Sequence, residues 1–153
     1  MAMNQVDRIS TEKQFDGMLD VFEEAFDDSG NYGKSKRPSP PYIQAMLSNP
    51  DFIGLLARGS DGEDLGALAA YVLRKFEQER SEVYIYDLAV RRTARRKGVA
   101  RSLIEALKKI AHLIGASSLY VQADKGEEDL PAQELYRSLG EQEDVFHYDL
   151  KLD

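Results

Sequence analysis

A run of basic residues around a glycine is the first feature of this sequence that could do chemistry. The run reads Arg95, Arg96, Lys97, Gly98, Val99, Ala100 and Arg101, between a predicted strand and a predicted helix. Backbone N–H groups and the positive end of the helix dipole converge there, and the basic side chains add charge. Gly98 lets the backbone approach a ligand closely. The pattern predicts an anion site suited to a diphosphate, with a solvated basic turn as the alternative.

A carboxylate inside an apolar strand is the second such feature. Residues 82–90 read EVYIYDLAV, which predicts a central strand covered on both faces. Strict alternation predicts one face of Val83, Ile85, Asp87 and Ala89, and an opposite face of Tyr84, Tyr86, Leu88 and Val90. A carboxylate among apolar neighbours lowers the stability of the fold unless it has a polar partner, so one that is kept there can have a catalytic role. Burial raises its pKa toward the range of a general base. Asp87 is therefore a candidate base, or else an acid satisfied by an arginine or a backbone amide.

Composition narrows the classes of protein. The chain has 153 residues, 42% of them apolar, which predicts one domain over 1–153. The chain has no cysteine, which excludes a disulfide framework and a cysteine nucleophile. With only two histidines as well, we expect no metal site and no acyl-enzyme. The net charge of −7 argues against nucleic acid as the main partner and is compatible with a cationic ligand. Neither a secretory signal nor a membrane-spanning run is recognisable, so we expect a cytoplasmic protein that is not bound to a membrane.

The elements that must position these residues follow from periodicity and capping. Thr11 and Gln14 have capping-box spacing, and an apolar stripe follows them as far as Phe26. Helices are also predicted from Pro40 to Asn49, from Gly98 to near Gly115 and over 130–139, with a polar loop over 31–37. Strands are predicted over 6–9, 52–57, 65–73, 82–90, 119–122 and 145–152. This order predicts a mixed α/β domain with an antiparallel front half and a strand-helix-strand unit at the back.

Two groups of motifs resemble a known family. Arg95-x-x-Gly98-x-Ala100 after a strand resembles the acetyl-CoA pyrophosphate signature of the GNAT superfamily of N-acetyltransferases. The segments 66–73, 75–78, 82–90 and 120–124 resemble the type I aminoglycoside 3-N-acetyltransferases. The resemblance implies the GNAT fold, with a central mixed, mostly antiparallel sheet flanked by helices and a strand-helix-strand unit that binds acetyl-CoA. It also implies a homodimer formed through the carboxy-terminal strands.

The resemblance assigns roles to particular residues. Backbone groups of Leu88, Ala89 and Val90 would pair with the pantetheine arm of acetyl-CoA, and the run from Arg95 to Arg101 would hold its pyrophosphate. Asp87 would take a proton from the acceptor amine. Tyr136, on the helix after the next strand, would act as general acid, although its spacing also suits a core tyrosine. We expect the acetyl group to pass directly from acetyl-CoA to the acceptor amine in a ternary complex with the enzyme.

The implied acceptor is an aminoglycoside antibiotic such as gentamicin, acetylated at its 3-amine with resistance as the result. Clustered carboxylates and a cleft tyrosine are predicted to bind its ammonium groups: Asp124, Glu127, Glu128, Asp144 and Tyr86. A GNAT enzyme that acetylates a protein lysine, an N-terminus or a polyamine would keep the same cofactor site. A non-catalytic acyl-CoA-binding module is the alternative from another class.

Overall fold

The computed structural model describes residues 4–153. The chain divides into two compact units, Met1–Gln122 and Ala123–Asp153. The first unit contains strands β1 (Gln5–Arg8), β2 (Phe52–Arg58), β3 (Asp64–Arg74), β4 (Ser81–Val90) and β5 (Ser118–Val121), and helices α1 (Glu12–Phe26), α2 (Ser29–Tyr32), α3 (Pro40–Ser48) and α4 (Val99–Leu113). The second unit contains helix α5 (Leu130–Leu139). One domain across 1–153 stays a prediction.

The first unit is built on one mixed sheet. Its strand order is β1-β2-β3-β4-β5, antiparallel from β1 to β4. Strand β5 runs parallel to β4, because helix α4 crosses between them. The α/β class, the antiparallel front half and the strand-helix-strand unit at the back are confirmed.

Helices cover both faces of this sheet. On one face Phe15, Met18 and Phe22 of α1 join a buried cluster with Ala69 of β3 and Ala89 of β4. On the other face α4 lies so close to β3 that a Cβ on Gly66 would come 2.7 Å from Val99 Cγ1. Strand β4 is therefore a central strand, as its apolar sequence predicts.

The start of α1 follows from its sequence. The hydroxyl of Thr11 accepts a hydrogen bond from the Gln14 backbone N–H at 3.2 Å, and the Gln14 side chain accepts one from the Thr11 N–H at 3.2 Å. These two bonds satisfy backbone donors that the first helical turn leaves without partners. The predicted capping box is confirmed.

The segment 31–37 is not the simple loop that its polar sequence predicts. It begins inside α2 and continues through a 3₁₀ turn at Lys34–Lys36. The Asp28 side chain accepts a hydrogen bond from the Asn31 N–H at 3.1 Å and caps α2. Short polar helices of this kind carry no apolar periodicity, so the sequence pattern does not reveal them.

The predicted final strand over 145–152 is wrong for this structure, which has no helix or strand after Leu139. The alternating side chains of the segment are exposed, from Val145 at 62% to Leu152 at 100%. A β-strand needs a partner to satisfy its backbone groups. Residues 123–153, all of them described, offer no other strand to pair with.

Candidate functional site

A β-bulge in β4 places the candidate base. Ala70 of β3 pairs with Ile85 and Ala69 pairs with Asp87, so Tyr86 is an extra residue opposite β3. Because Ala69 and Ala70 point to opposite faces, Ile85 lies on the α4 face and Asp87 on the α1 face. The prediction that Val83, Ile85, Asp87 and Ala89 share one face is therefore wrong. The bulge, which strict alternation ignores, turns Asp87 to the side of α1 and α2.

Tyr32 holds the carboxylate of Asp87. Its hydroxyl donates a hydrogen bond to Asp87 Oδ2 at 2.7 Å. Its ring packs against the rings of Phe22 and Phe26 on α1, with centroid distances of 5.7 Å to Phe22 and 5.6 Å to Phe26. Burial raises the pKa of Asp87, and the hydrogen bond from Tyr32 lowers it by a smaller amount. Burial and the nearby carboxylate raise the pKa of Tyr32, so its hydroxyl remains a neutral donor.

Arg37 fixes the segment that carries Tyr32. Its side chain is only 10% exposed, and its Nη2 lies 2.6 Å from Asp20 Oδ1 and 3.3 Å from Glu23 Oε2, both on α1. Its Nε donates a hydrogen bond to the Tyr32 carbonyl at 3.3 Å. The planar guanidinium can hold several oxygens at once, which ties the end of α2 to α1.

An open strand edge lies beside Asp87. Strand β5 pairs with β4 only from Glu82 to Ile85. From Asp87 to Val90, β4 pairs with β3 on one side and with no described strand on the other. Such an edge presents N–H and C=O groups to an extended ligand, which can add to the sheet as a strand. Leu88, Ala89 and Val90 lie on this edge, as their predicted role requires.

The basic loop leads from this edge to the start of α4. Arg96 and Gly98 have positive φ angles of 60° and 77°, and the start of α4 at Gly98 has no side-chain cap. Left-handed residues before a helix turn successive N–H groups toward one spot, where the helix dipole is positive. A Cβ on Gly98 would meet nothing within 4 Å, so the loop is open at this point. The residues from Arg95 to Arg101 fit a diphosphate.

The remaining predicted site residues lie in the second unit. Tyr136 is on α5, where burial, and then the charge of Asp129, raise its pKa to about 12. The candidate acceptor carboxylates are all exposed: Asp124, Glu127, Glu128 and Asp144. The Gln133 side chain donates hydrogen bonds to the carbonyls of Asp124 at 2.6 Å and Gly126 at 3.2 Å, which ties the acidic loop to α5. The functional roles of these residues stay predictions.

Sequence reasoning missed Tyr32 and Arg37. Both lie in a polar segment without periodicity, and their partners Asp87 and Asp20 lie 55 and 17 residues away. The one available signal is that Tyr32 is the only aromatic residue between Asp27 and Ser39. Within residues 4–153, no group of three or more histidines and acids could hold a metal ion. No helix in the described part of the chain is long and apolar enough to cross a membrane.

The mixed sheet, the basic loop at a helix start and the open edge of β4 fit an acyltransferase that takes its acyl group from a CoA thioester. The profile of the Acetyltransferase (GNAT) family matches residues 16–140. The chain belongs to this family, whose members use acetyl-CoA.

Solved structures agree with this assignment. An aminoglycoside acetyltransferase from an uncultured soil metagenomic sample is 44% identical, with a TM-score of 0.95 over 99% of this chain and 100% of that one. Another from such a sample, solved in complex with sisomicin, is 28% identical, with a TM-score of 0.81 over 97% of each chain. A ribosomal-protein-alanine N-acetyltransferase from Brucella melitensis biovar Abortus 2308 shares the fold, at 22% identity and a TM-score of 0.73 over 99% of this chain and 100% of that one. No curated protein matches the chain significantly.

Proposed function

We propose that this protein is an aminoglycoside N-acetyltransferase, which transfers the acetyl group of acetyl-CoA to an amine of the antibiotic. The similarity to two aminoglycoside acetyltransferases, one solved with sisomicin, supports the substrate class. The observation that carries the reaction is the position of Asp87, half-buried, bonded to Tyr32 and beside the open edge of β4. Acetylation of the 3-amine of gentamicin, antibiotic resistance and a homodimer belong to the proposal through the resemblance in sequence. A cytoplasmic location is a further part of the proposal, independent of that resemblance.

Acetyl-CoA, when bound, supplies an acetyl group activated as a thioester. The backbone of Leu88, Ala89 and Val90 binds its pantetheine arm as an added strand. The N–H groups at Gly98 and Val99 and the basic side chains from Arg95 to Arg101 bind its pyrophosphate. A backbone N–H beside the bulge at Tyr86 polarises the thioester carbonyl.

Asp87 prepares the acceptor for attack. An alkyl amine is mostly protonated at neutral pH and has no lone pair to offer until it loses a proton. In the proposed reaction Asp87 takes that proton, and burial makes its carboxylate a stronger base than an exposed one. Because Tyr32 donates its hydrogen bond to Oδ2, we assign proton transfer from the amine to Oδ1.

Transfer of the acetyl group then forms a bond to nitrogen and breaks the bond to sulfur. The freed amine nitrogen forms a C–N bond with the acetyl carbon, and the C–S bond to CoA breaks. Tyr136, which its raised pKa keeps protonated, donates a proton to the leaving sulfur. The nitrogen loses its second ammonium proton as the amide forms, and that proton restores Tyr136. Asp124, Glu127, Glu128 and Asp144 bind other ammonium groups of the acceptor by charge-assisted hydrogen bonds, with Tyr86 in the cleft.

The first experiment compares acceptors and removes the base. Release of CoA thiol is followed with gentamicin, spermidine and a lysine peptide, for the wild type, Asp87→Asn and Asp61→Asn. Asp61 is exposed in the β2–β3 turn and serves as the matched control. We expect gentamicin to be the best acceptor and kcat/KM to fall about 100- to 10,000-fold in Asp87→Asn alone.

The thermal stability of Asp87→Asn shows whether a loss of activity comes from lost catalysis or from lost folding. Because the folded-state pKa of Asp87 is raised, its ionised form costs stability, and the cost develops as pH rises from its unfolded pKa through its folded one. Asp87→Asn should therefore melt at the same or a higher temperature than the wild type at neutral pH. A preference for spermidine or the lysine peptide would refute the proposal that an aminoglycoside is the substrate. Full activity in Asp87→Asn would refute the proposal that Asp87 is the base. Binding of acetyl-CoA without turnover of any amine would favour a non-catalytic module.

A further inference from the structure

Four tyrosines form a continuous row across the sheet: Tyr71 of β3, Tyr84 and Tyr86 of β4, and Tyr120 of β5. The rings of Tyr71 and Tyr86 meet edge to face at 5.7 Å, and those of Tyr84 and Tyr86 at 6.1 Å. Tyr84 and Tyr120 stack at 4.9 Å. We call this set the tyrosine row.

The tyrosine row lies on the same face of the sheet as Asp87. Tyr71 lies two residues from Ala69, the partner of Asp87, and pairs with Tyr84 across the strands. Side chains two apart on a strand point to the same face. Tyr86 is the bulged residue next to Asp87, and its ring contacts both neighbours in the row. The row therefore runs from the candidate base across β4 to β5.

The row is accessible, unlike the ordinary core of a sheet. Tyr86 is 60% exposed, Tyr120 38% and Tyr71 37%. Aromatic rings of this size usually bury most of their area, so an exposed row over three strands indicates a binding surface. Burial raises the pKa values of Tyr71, Tyr84 and Tyr120, so their hydroxyls stay neutral.

The carboxylate beside the tyrosine row has no cationic partner. Asp87 is half-buried, and no lysine or arginine within residues 4–153 lies within ion-pair distance of it. The other carboxylate near the row is Glu82, which Arg80 already contacts at 3.3 Å. An incoming ammonium group would supply the counter-ion that Asp87 lacks.

We infer that the tyrosine row is the surface on which the amino-sugar rings of a polycationic saccharide acceptor lie, an inference that rests on the proposed function. The reacting amine faces Asp87, and the neighbouring rings extend over Tyr86, Tyr84 and Tyr120. Sugar rings carry flat C–H patches that pack on aromatic faces, and their ammonium groups gain from the negative face of each ring. The Tyr hydroxyls offer hydrogen bonds to sugar oxygens. A lysine side chain or a linear polyamine has no such rings to lay on the row.

The test measures binding as well as turnover. Calorimetry gives the Kd of gentamicin, of spermidine and of 2-deoxystreptamine, which is one aminocyclitol ring, for the wild type, Tyr86→Ala, Tyr120→Ala and the double variant. The matched control is Phe76→Ala, which removes an aromatic ring that is 99% exposed and outside the row. Melting temperature and CoA affinity are measured for each variant to detect damage to the fold or to the neighbouring cofactor edge.

The expected result is a Kd and KM for gentamicin about three- to tenfold higher for each ring removed, with kcat within about twofold of the wild type. The effect should be smaller for 2-deoxystreptamine and for spermidine, which has ammonium groups but no rings to pack on the row, and absent for Phe76→Ala. Equal gentamicin affinity in the double variant would overturn the inference, as would an equal loss for spermidine. A wild type that binds gentamicin through the row without acetylating it would refute the proposed function and leave the binding surface standing. A wild type that does not bind gentamicin would refute both.

Discussion

At Asp87, two interactions of opposite sign act on one carboxyl group. Burial raises its pKa, which strengthens the base but favours the protonated form at low pH. The Tyr32 hydroxyl bonds to the charged form at 2.7 Å and lowers the pKa by a smaller amount. Tyr71, Tyr84 and Tyr86 also lie near this pair, and burial raises the pKa values of Tyr71 and Tyr84, which keeps these two hydroxyls neutral. The hydrogen bond from Tyr32 thus favours the ionised form of the proposed base.

The variant Tyr32→Phe removes this hydrogen bond and leaves the ring. The pKa of Asp87 should rise further, because the charged form loses a donor while burial remains. The acidic limb of the pH profile of kcat/KM should then move to higher pH, and activity should fall more on that limb than on the plateau at higher pH. Steady-state rates measured from the acidic limb to the plateau give the shift.

Tyr42→Phe is the matched control, since this tyrosine is 59% exposed on α3 and lies outside the pair. A second variant, Arg37→Met, releases the end of α2 from Asp20 and Glu23 and should move the same limb in the same direction. An unchanged limb in Tyr32→Phe, with lower activity at every pH, would assign Tyr32 a purely structural role.

At the scale of elements, the junction between β4 and α4 combines the two features that we propose bind acetyl-CoA. The strand ends at Val90, an open edge precedes that end, and the helix begins at Val99 without a side-chain cap. An uncapped helix start is normally a cost in stability. Here the uncapped N–H groups suit the pyrophosphate that the family binds.

The variant Gly98→Ala tests this junction. Gly98 has a φ of 77°, so alanine is strained there by about 1 kcal/mol, and its Cβ would project into the open loop. The KM for acetyl-CoA should rise about five- to tenfold, while the KM for the acceptor changes little. Steady-state kinetics with each substrate varied in turn provide the measurement.

Gly62→Ala is a close control, because Gly62 has a φ of 79° in the β2–β3 turn and its Cβ would likewise meet nothing within 4 Å. Both variants should lose similar stability in denaturant melts, and only Gly98→Ala should lose affinity for acetyl-CoA. Equal KM values in the two variants would contradict the assignment of the loop.

At the scale of the whole molecule, the carboxy-terminal segment bears on the proposed homodimer. Phe146, Tyr148, Leu150 and Leu152 alternate with polar residues, as in a strand with one apolar face. All four are exposed in the single chain. If the homodimer forms through this segment, a second copy supplies the missing strand partner and covers the apolar face.

The double variant Phe146→Asp with Leu150→Asp should then be a monomer, because charges on that face would be buried without partners. Light scattering should give twice the chain mass for the wild type and the chain mass for the variant, with equal monomer stability. His112→Asp on α4 serves as a control for the added charge. A monomeric wild type would refute the homodimer, and a dimeric variant would move the interface elsewhere.

The sequence by itself determined what depends on neighbours a few residues away. The capping box at Thr11, the bounds of α5, the apolar strand β4 and the glycine at the start of α4 are all local patterns, and each is confirmed. Caps, periodicity and left-handed turns act through contacts within about one helical turn, so one segment contains all the information. The family signature in the basic loop is of the same kind.

Only the tertiary structure decided the rest. The bulge at Tyr86 exists because β3 and β4 pair in a register that no segment of either strand specifies alone. That register sets the face of Asp87, brings Tyr32 to it across 55 residues of chain and lines up four tyrosines from three strands. The alternating tail shows the converse, because a strand pattern forms a strand only where a partner edge is present.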